Sequence, residues 1–424
     1  LRMSPAMGEE LERAVELAQL GKDRAVDLWG WSPGEADEWL PPSPEINMPL
    51  QQDEAILPSF GVVGSNAWAV SPGLSASGRA LLANDPHLGV SIPGTFYAIH
   101  LSSPEMHVAG VTVPGSPGVL NGHNERVAWG LTAAMVDDQD LFVLTLDEGR
   151  ERELIDGEWL DLRTVTERIQ VRWQEEPELV KILLSERGPV VRNRGREVLA
   201  LQWSGLRAPS VLHAVLEMNR ARTVQDVVDA WLDTEGPYLH VVAADSGGRI
   251  AQFLTGSAPD RGRGAGRLPS PGQESRWSWQ GTERLAGELL VVDPELGFVA
   301  AANHDPVAEG DFVGAPHVAG EYASPWRVRR IRQQLASRAD WRMGDFVELQ
   351  GDVSSGLAVA LLRQLRPELE AHEGPSAALL ATWDGRLDRD SRAATVYANL
   401  VVELGEAVGG DEAARDGLPA TPIG

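Results

Sequence analysis

The sequence predicts an α+β fold in which β-sheets stack in layers and helices cover them. Three observations predict it. Short apolar runs punctuated by Gly, Pro and Asp fill residues 60–203, the pattern of strands and turns. A polar–apolar segment of helical type precedes them, and helical periodicity dominates from Trp326 onward. Strands bracketed by helices bury each sheet's apolar faces against neighbouring layers.

Taken in order, residues 7–29 read as helix. Residues 31–58 carry Pro33, Pro41, Pro42, Pro44, Pro49 and Pro58 among acids, the composition of an exposed linker. The predicted strands are 96–101, 106–113, 126–133, 141–146, 169–173 and 197–203, each short, apolar and bounded by turn residues. Residues 210–220 and 223–234 read as helices. Thr223 with Asp226 forms a capping box, and Val227, Val228 and Trp231 form an apolar stripe. Residues 239–244 and 249–254 flank Asp245-Ser246-Gly247-Gly248, a hairpin signal, and residues 289–292 and 297–302 read as a second hairpin. Helices follow at 328–335, 355–369, 377–383 and 393–408.

Composition narrows the function. The chain has 424 residues and a formal charge of −25, a surface that repels nucleic acid and anionic membranes. The Arg- and Gly-rich run 261–267 is a loop, not a nucleic-acid site, against that charge. There is no cysteine, which excludes disulfides, thiolate metal sites and a cysteine nucleophile. No run approaches the roughly 18 apolar residues of a membrane span. The N-terminus lacks a signal-peptide pattern.

The most informative stretch is Gly64-Ser65-Asn66-Ala67-Trp68, followed by Ala83-Asn84-Asp85-Pro86-His87. Ser65 is an ordinary strand-start serine unless the bond before it breaks. Cleavage at Gly64–Ser65 gives it a free α-amine, whose reference pKa of about 7.7–8.0 suits a general base at neutral pH. One residue then supplies nucleophile and base together.

These blocks continue through 114–118 (PGSPG), Gly122-His123-Asn124, Ala128-Trp129-Gly130-Leu131-Thr132 and Asp137-Asp138-Gln139-Asp140. They resume at 267–272 (RLPSPG), Ala302-Asn303-His304-Asp305-Pro306 and Arg327-Val328-Arg329-Arg330-Ile331. In order and spacing, from about residue 61 to about 400, the set resembles the penicillin acylase family of N-terminal-nucleophile hydrolases. The resemblance sharpens the fold to a four-layer αββα sandwich. It implies an internal fragment: residues 1–64 end the small chain and include an excised spacer, and residues 65–424 form an incomplete hydrolase domain, helical over about 326–410.

The same resemblance implies the chemistry. Ser65 attacks an acyl amide and forms an acyl ester after autoproteolysis. The backbone N–H of Ala133 and the side-chain amide of Asn303 stabilise the oxyanion, such donors being worth ~2.7–4 kcal/mol each. His87 lines the site, as in relatives acting on acyl-homoserine lactones or cephalosporin side chains, and Arg327 lies near the amine. His123 and Asn124 are turn residues. Asp137, Gln139, Asp140 and Gly266 match parts of a structural calcium site. An acidic ligand from the earlier chain falls outside the sequence, and Asp311 does not fit the spacing of another. No organic cofactor is implied. The partners implied are a small-molecule acyl amide and, in the full-length protein, the second of two processed chains. The implied location is periplasmic or secreted. The rival reading is a non-catalytic truncated paralogue or fragment, against which the intact Ser65, Asn303 and Arg327 argue.

Overall fold

The computed structural model describes residues 6–29, 64–194, 197–207, 211–261, 266–315, 318–405 and 407. Two sheets stacked face to face organise it. In the smaller, Gly64–Val70 lies between Leu81–His87 and Phe298–Ala301, all antiparallel. In the larger, seven strands run in the order Leu290–Val292, Ile250–Leu254, Leu239–Asp245, Val127–Ala133, Asn121–Asn124, His107–Thr112 and Tyr97–Ser102.

The two-residue period of the Ser65 strand explains the layering. Ala67 and Ala69 face the larger sheet and pack with Val242, Ala244 and Ile250. Small side chains dominate this seam and let the sheets approach closely. Trp68 and Val70 point the other way, onto Val328, Ile331 and Leu335 of helix Trp326–Leu335 and onto Phe346 of helix Met343–Gln350. The far face of the larger sheet buries Trp129, Val241 and Phe253 under helices Val211–Arg220 and Val224–Trp231. The order is helix, sheet, sheet, helix. Thr223 Oγ1 accepts from Asp226 N and Asp226 accepts from Thr223 N, so the capping box forms as predicted.

A six-stranded sheet flanks this core: Arg163–Ile169, Glu178–Ser185, Gly188–Arg194, Glu197–Trp203, Gln139–Val143 and Ser270–Pro271. Helix Ala6–Leu20 packs Leu11 and Ala14 against its Leu141 and Leu199.

Several expectations shift. Residues 289–302 do not form a hairpin: Leu290–Val292 pairs with Ile250–Leu254, whereas Phe298–Ala301 pairs with the Ser65 strand. Left-handed Asp293 (φ 49°) and Gly297 (φ 72°) carry the chain from one layer to the other. The strand predicted at 169–173 instead ends at Ile169, and Trp173 turns at φ 73°. Its neighbours Arg163–Ile169 and Glu178–Ser185 are largely solvated, so they lack the apolar alternation that marks a half-buried strand. The strand predicted at 141–146 runs at Gln139–Val143. The helix predicted at 355–369 divides into Gly356–Gln364 and Arg366–Ala371, with Pro367 in the first turn of the second. The last helix is Arg392–Gly405. The proposed linker 31–58, Ser210, the loop centre 262–265 and residue 408 lie outside the described residues.

Candidate active site

Ser65 is the second residue of its strand, opposite Pro86, and only 7% exposed. The strand pairing places Gly64 opposite His87 and Asn66 opposite Asp85. The turn after the neighbouring strand Phe298–Ala301 brings in Asn303, whose backbone is left-handed at φ 61°, a region asparagine tolerates better than most residues.

Asn303 meets Ser65 twice. Its Oδ1 accepts from Ser65 N at 2.7 Å and its Nδ2 donates to Ser65 Oγ at 3.2 Å. Two outside contacts fix which end of the amide is which. Arg327 Nη2, which only donates, bonds Asn303 Oδ1 at 3.0 Å, and the Ala133 carbonyl, which only accepts, takes Asn303 Nδ2 at 2.8 Å. Ala134 N donates to Tyr238 O at 3.1 Å, so Ala133 turns its polar groups away from that neighbouring strand and toward Asn303. Its N–H leaves the strand on the same side as the carbonyl that Asn303 engages.

Arg327, in the first turn of helix Trp326–Leu335, holds three oxygens at once. Nη1 donates to Ser65 O at 2.9 Å and Asn66 Oδ1 at 2.7 Å, beside the Nη2 bond to Asn303. Burial lowers its pKa from the usual guanidinium range, with Asp85 opposing, and a guanidinium so held stays cationic. His87 sits beside Gly64: a methyl group added there would lie 3.4 Å from His87 Nδ1 and 3.5 Å from Arg327 Nη2. His87 Nε2 bonds Asp85 Oδ2 at 2.9 Å, and its side chain is 46% exposed. The structure therefore brings Ser65, Ala133, Asn303 and Arg327 into one hydrogen-bonded set and places His87 at the bond before Ser65.

Some contributors carried no signal of their own. Asn66 bridges Arg327 and Asp85, and Asn84 Nδ2 ties Asn66 O at 2.7 Å to Leu131 O at 3.3 Å. Both asparagines lie inside the motif blocks, but nothing in sequence tells a bridging asparagine from a turn residue. Behind Asn303, buried His304 accepts from Ala302 N through Nδ1 at 3.3 Å and bonds Asp311 Oδ2 through Nε2 at 2.8 Å. Arg332 closes the group on Asp311. Burial alone would raise the Asp311 pKa, but the His304 bond and the Arg332 charge bring it below the ordinary carboxylate range. His240, its ring 6.0 Å from His304, is pulled down to about 3 by burial. His123 and Asn124 lie on strand Asn121–Asn124 rather than in a turn: His123 Nδ1 bonds Asn124 O at 3.1 Å, Asn124 Oδ1 accepts from Arg126 N and Val127 N at 2.8 and 2.9 Å, and Asn124 Nδ2 donates to Asn219 O at 3.1 Å and Ala221 O at 2.8 Å.

The acidic segment after Ala133 forms a separate pocket. Asp137 and Asp140 are buried, and the Arg261 guanidinium lies between them, 3.1 Å from Asp137 Oδ2 and 3.0 Å from Asp140 Oδ2. Gly266 packs against it: a Cβ there would stand 2.6 Å from Arg261 Nε. Gln139 turns its side chain to Asp138, with Nε2 3.5 Å from Oδ1. Contrary to the sequence expectation, an acid of the earlier chain does reach this region. Glu10 Oε2 accepts from Leu141 N at 3.1 Å, and burial, reinforced by Asp140 and Asp137, raises its pKa well above the carboxylate range. Burial, only partly offset by Arg261, pushes Asp137 up to about 8. Asp311 belongs to the His304 group instead.

Comparison with known proteins matches the chain to one family. The penicillin amidase family model covers residues 1–421. The chain is 29% identical over 398 residues to acyl-homoserine lactone acylase QuiP of Pseudomonas aeruginosa, covering 86% of this chain and 46% of that protein. It is 31% identical over 344 residues to penicillin acylase 2 proenzyme of Pseudomonas sp. SE83, covering 79% and 44%. The chain thus spans about half the length of the curated relatives it matches. In fold it is similar to a thermostable penicillin G acylase from Alcaligenes faecalis, with a TM-score of 0.63 at 22% identity over 77% of this chain and 60% of that one. The chain belongs to the penicillin amidase family.

Proposed function

We propose that this chain carries the nucleophile half of an amidohydrolase that cleaves acyl amides through an acyl-Ser65 ester. One observation carries the reading: a single side chain, Asn303, touches both the nitrogen and the hydroxyl of Ser65.

Maturation comes first. Ser65 Oγ attacks the Gly64 carbonyl, the Gly64–Ser65 C–N bond breaks, and the acyl group moves to oxygen. Water hydrolyses that ester, leaving a Gly64 carboxylate and a free Ser65 amine. The amine inherits the Asn303 Oδ1 contact that the peptide nitrogen now makes. Arg327 disfavours a second positive charge there and keeps the amine unprotonated to lower pH.

In turnover the amine takes the Oγ proton and Oγ attacks the substrate carbonyl. Asn303 Nδ2 has two hydrogens. One is fixed on Ala133 O, and the other, now on Ser65 Oγ, turns to the developing oxyanion beside the Ala133 N–H. The amine product leaves with the proton, and water releases the acid and restores Ser65. His87, next to the cut, orients the amine or the departing Gly64 end.

Both pieces stay together after cleavage. Ahead of the cut, helix Ala6–Leu20 is held by Leu11 and Ala14 packing and by Arg13 on Glu321 at 2.7 Å. The product is a heterodimer of its own two chains. Among the described residues no helix is long and apolar enough to cross a membrane, and the family resemblance supports a periplasmic or secreted location. The test is amine release from a panel of acyl amides by the processed full-length protein. Turnover in wild type and none in Ser65→Ala is expected, and equal turnover in both defeats the reading.

A further inference from the structure

We propose that Arg261 is the resident cation of the acidic pocket behind Ala133, standing where the family resemblance would seat a calcium ion. The residues that match calcium ligands are present, but the space between them is filled. Arg261 Nε reaches both oxygens of Asp140 at 3.1 and 3.0 Å, and Nη2 adds Asp140 Oδ1 at 3.0 Å and the Asp137 carbonyl at 3.2 Å. Nη2 also meets Asp137 Oδ2 at 3.1 Å. The Trp279 indole donates to Asp140 as well.

Calcium needs about six to eight oxygens around a common centre. The oxygens it would take from Asp137 and Asp140 are those the guanidinium holds, so the two cations exclude each other. Gly266 packs tightly on the same group, because a single added carbon there would lie 2.6 Å from Arg261 Nε, Arg261 Nη2 and Asp137 Oδ2.

Local structure aims this side chain. Arg261 ends strand Ser257–Arg261, and the ladder with Trp279–Arg284 slips between Asp260 and Arg261, so Arg261 pairs with Trp279 out of register. Such a bulge re-aims a side chain; here Arg261 and Trp279 converge on Asp140. Of the other nearby acids, Glu321 takes Arg13 and Arg267 at 2.7 and 2.6 Å, and Glu10 accepts from Leu141 N through Oε2 while its buried Oε1 has no hydrogen-bond partner among the described residues. Arg261 is thus the counter-ion to both Asp137 and Asp140. Asp137 lies a few residues after Ala133, and its N–H bonds Ala319 O at 2.9 Å. The tethered cation therefore braces the segment that presents the Ala133 N–H, without depending on free metal.

The test uses the full natural protein, elemental analysis, and thermal melting in EDTA or millimolar calcium chloride. Wild type is expected to purify without stoichiometric calcium and to melt at the same temperature in both. Arg261→Ala is expected to melt several degrees lower in EDTA and to recover most of that loss in calcium, but not in equal sodium chloride. Stoichiometric calcium in wild type, or a fall of its melting point in EDTA, overturns the proposal even if Arg261→Ala does not fold. An Arg261→Ala protein that melts like wild type, or that is destabilised yet indifferent to calcium, overturns it too.

Discussion

Asn303 grips Ser65 at both of its reactive atoms, accepting from the nitrogen at 2.7 Å and donating toward Oγ at 3.2 Å. This is possible because the Asn303 backbone is left-handed at φ 61° and its amide is pinned between Arg327 and Ala133. Replacing Asn303 with alanine removes an oxyanion donor from a buried site. A loss of ~10²–10³-fold in kcat is expected in the folded, processed enzyme, by the scale of single-donor deletions in acyl transfer. Steady-state kinetics on the matured variant checks it; unchanged kcat removes Asn303 from the chemistry.

Arg327 tests how the amine is kept unprotonated. Arg327→Met deletes a fixed cation that contacts Ser65 O and Asn303 Oδ1. The amine pKa should rise, so the acid limb of the pH–kcat profile should move to higher pH while the fold persists. A limb that stays in place means Arg327 only positions Asn303.

The layering and the chemistry differed in how far sequence could reveal them. Ala67-Trp68-Ala69-Val70 was legible as a short apolar run, which the structure shows as a strand buried on both faces, and Thr223 with Asp226 announces its helix. The supposed 289–302 hairpin was not legible as a crossing, because two apolar runs around a turn look alike whether they pair with each other or with different sheets. Within the site, Ser65, Asn303 and Arg327 were visible as motif residues. Arg261 was hidden in a run read as a loop, because its partners lie more than a hundred residues away in sequence and only a bulge brings it to them.

His304 is a positioning residue for Asn303, through Ala302 N and Asp311. His304→Ala should lower kcat with little change in KM, and His304→Gln should recover part of the loss by restoring a hydrogen bond to Asp311. Equal loss of kcat in both variants, with a matching drop in melting temperature, would show a purely structural role.

His240 adds a pH term of definite sign. Burial holds its folded pKa at about 3, against a reference near 6.5 unfolded. Between those values the unfolded chain binds a proton that the native state refuses, so stability falls as pH drops through that window. The slope from this group is at most about 1.4 kcal/mol per pH unit. Denaturant titrations from pH 4.5 to 6.5 should show a shallower pH dependence in His240→Phe than in wild type.

The central claim is that Ser65 cuts its own chain and then works from the new N-terminus. Intact mass and N-terminal sequencing of the full-length product test it most directly. Wild type should yield a polypeptide beginning Ser65-Asn66-Ala67, and Ser65→Ala should remain joined across residues 64 and 65 and show no amide hydrolysis. An intact wild-type chain that turns over amides, or a Ser65→Ala protein that matures unaided, would contradict the account.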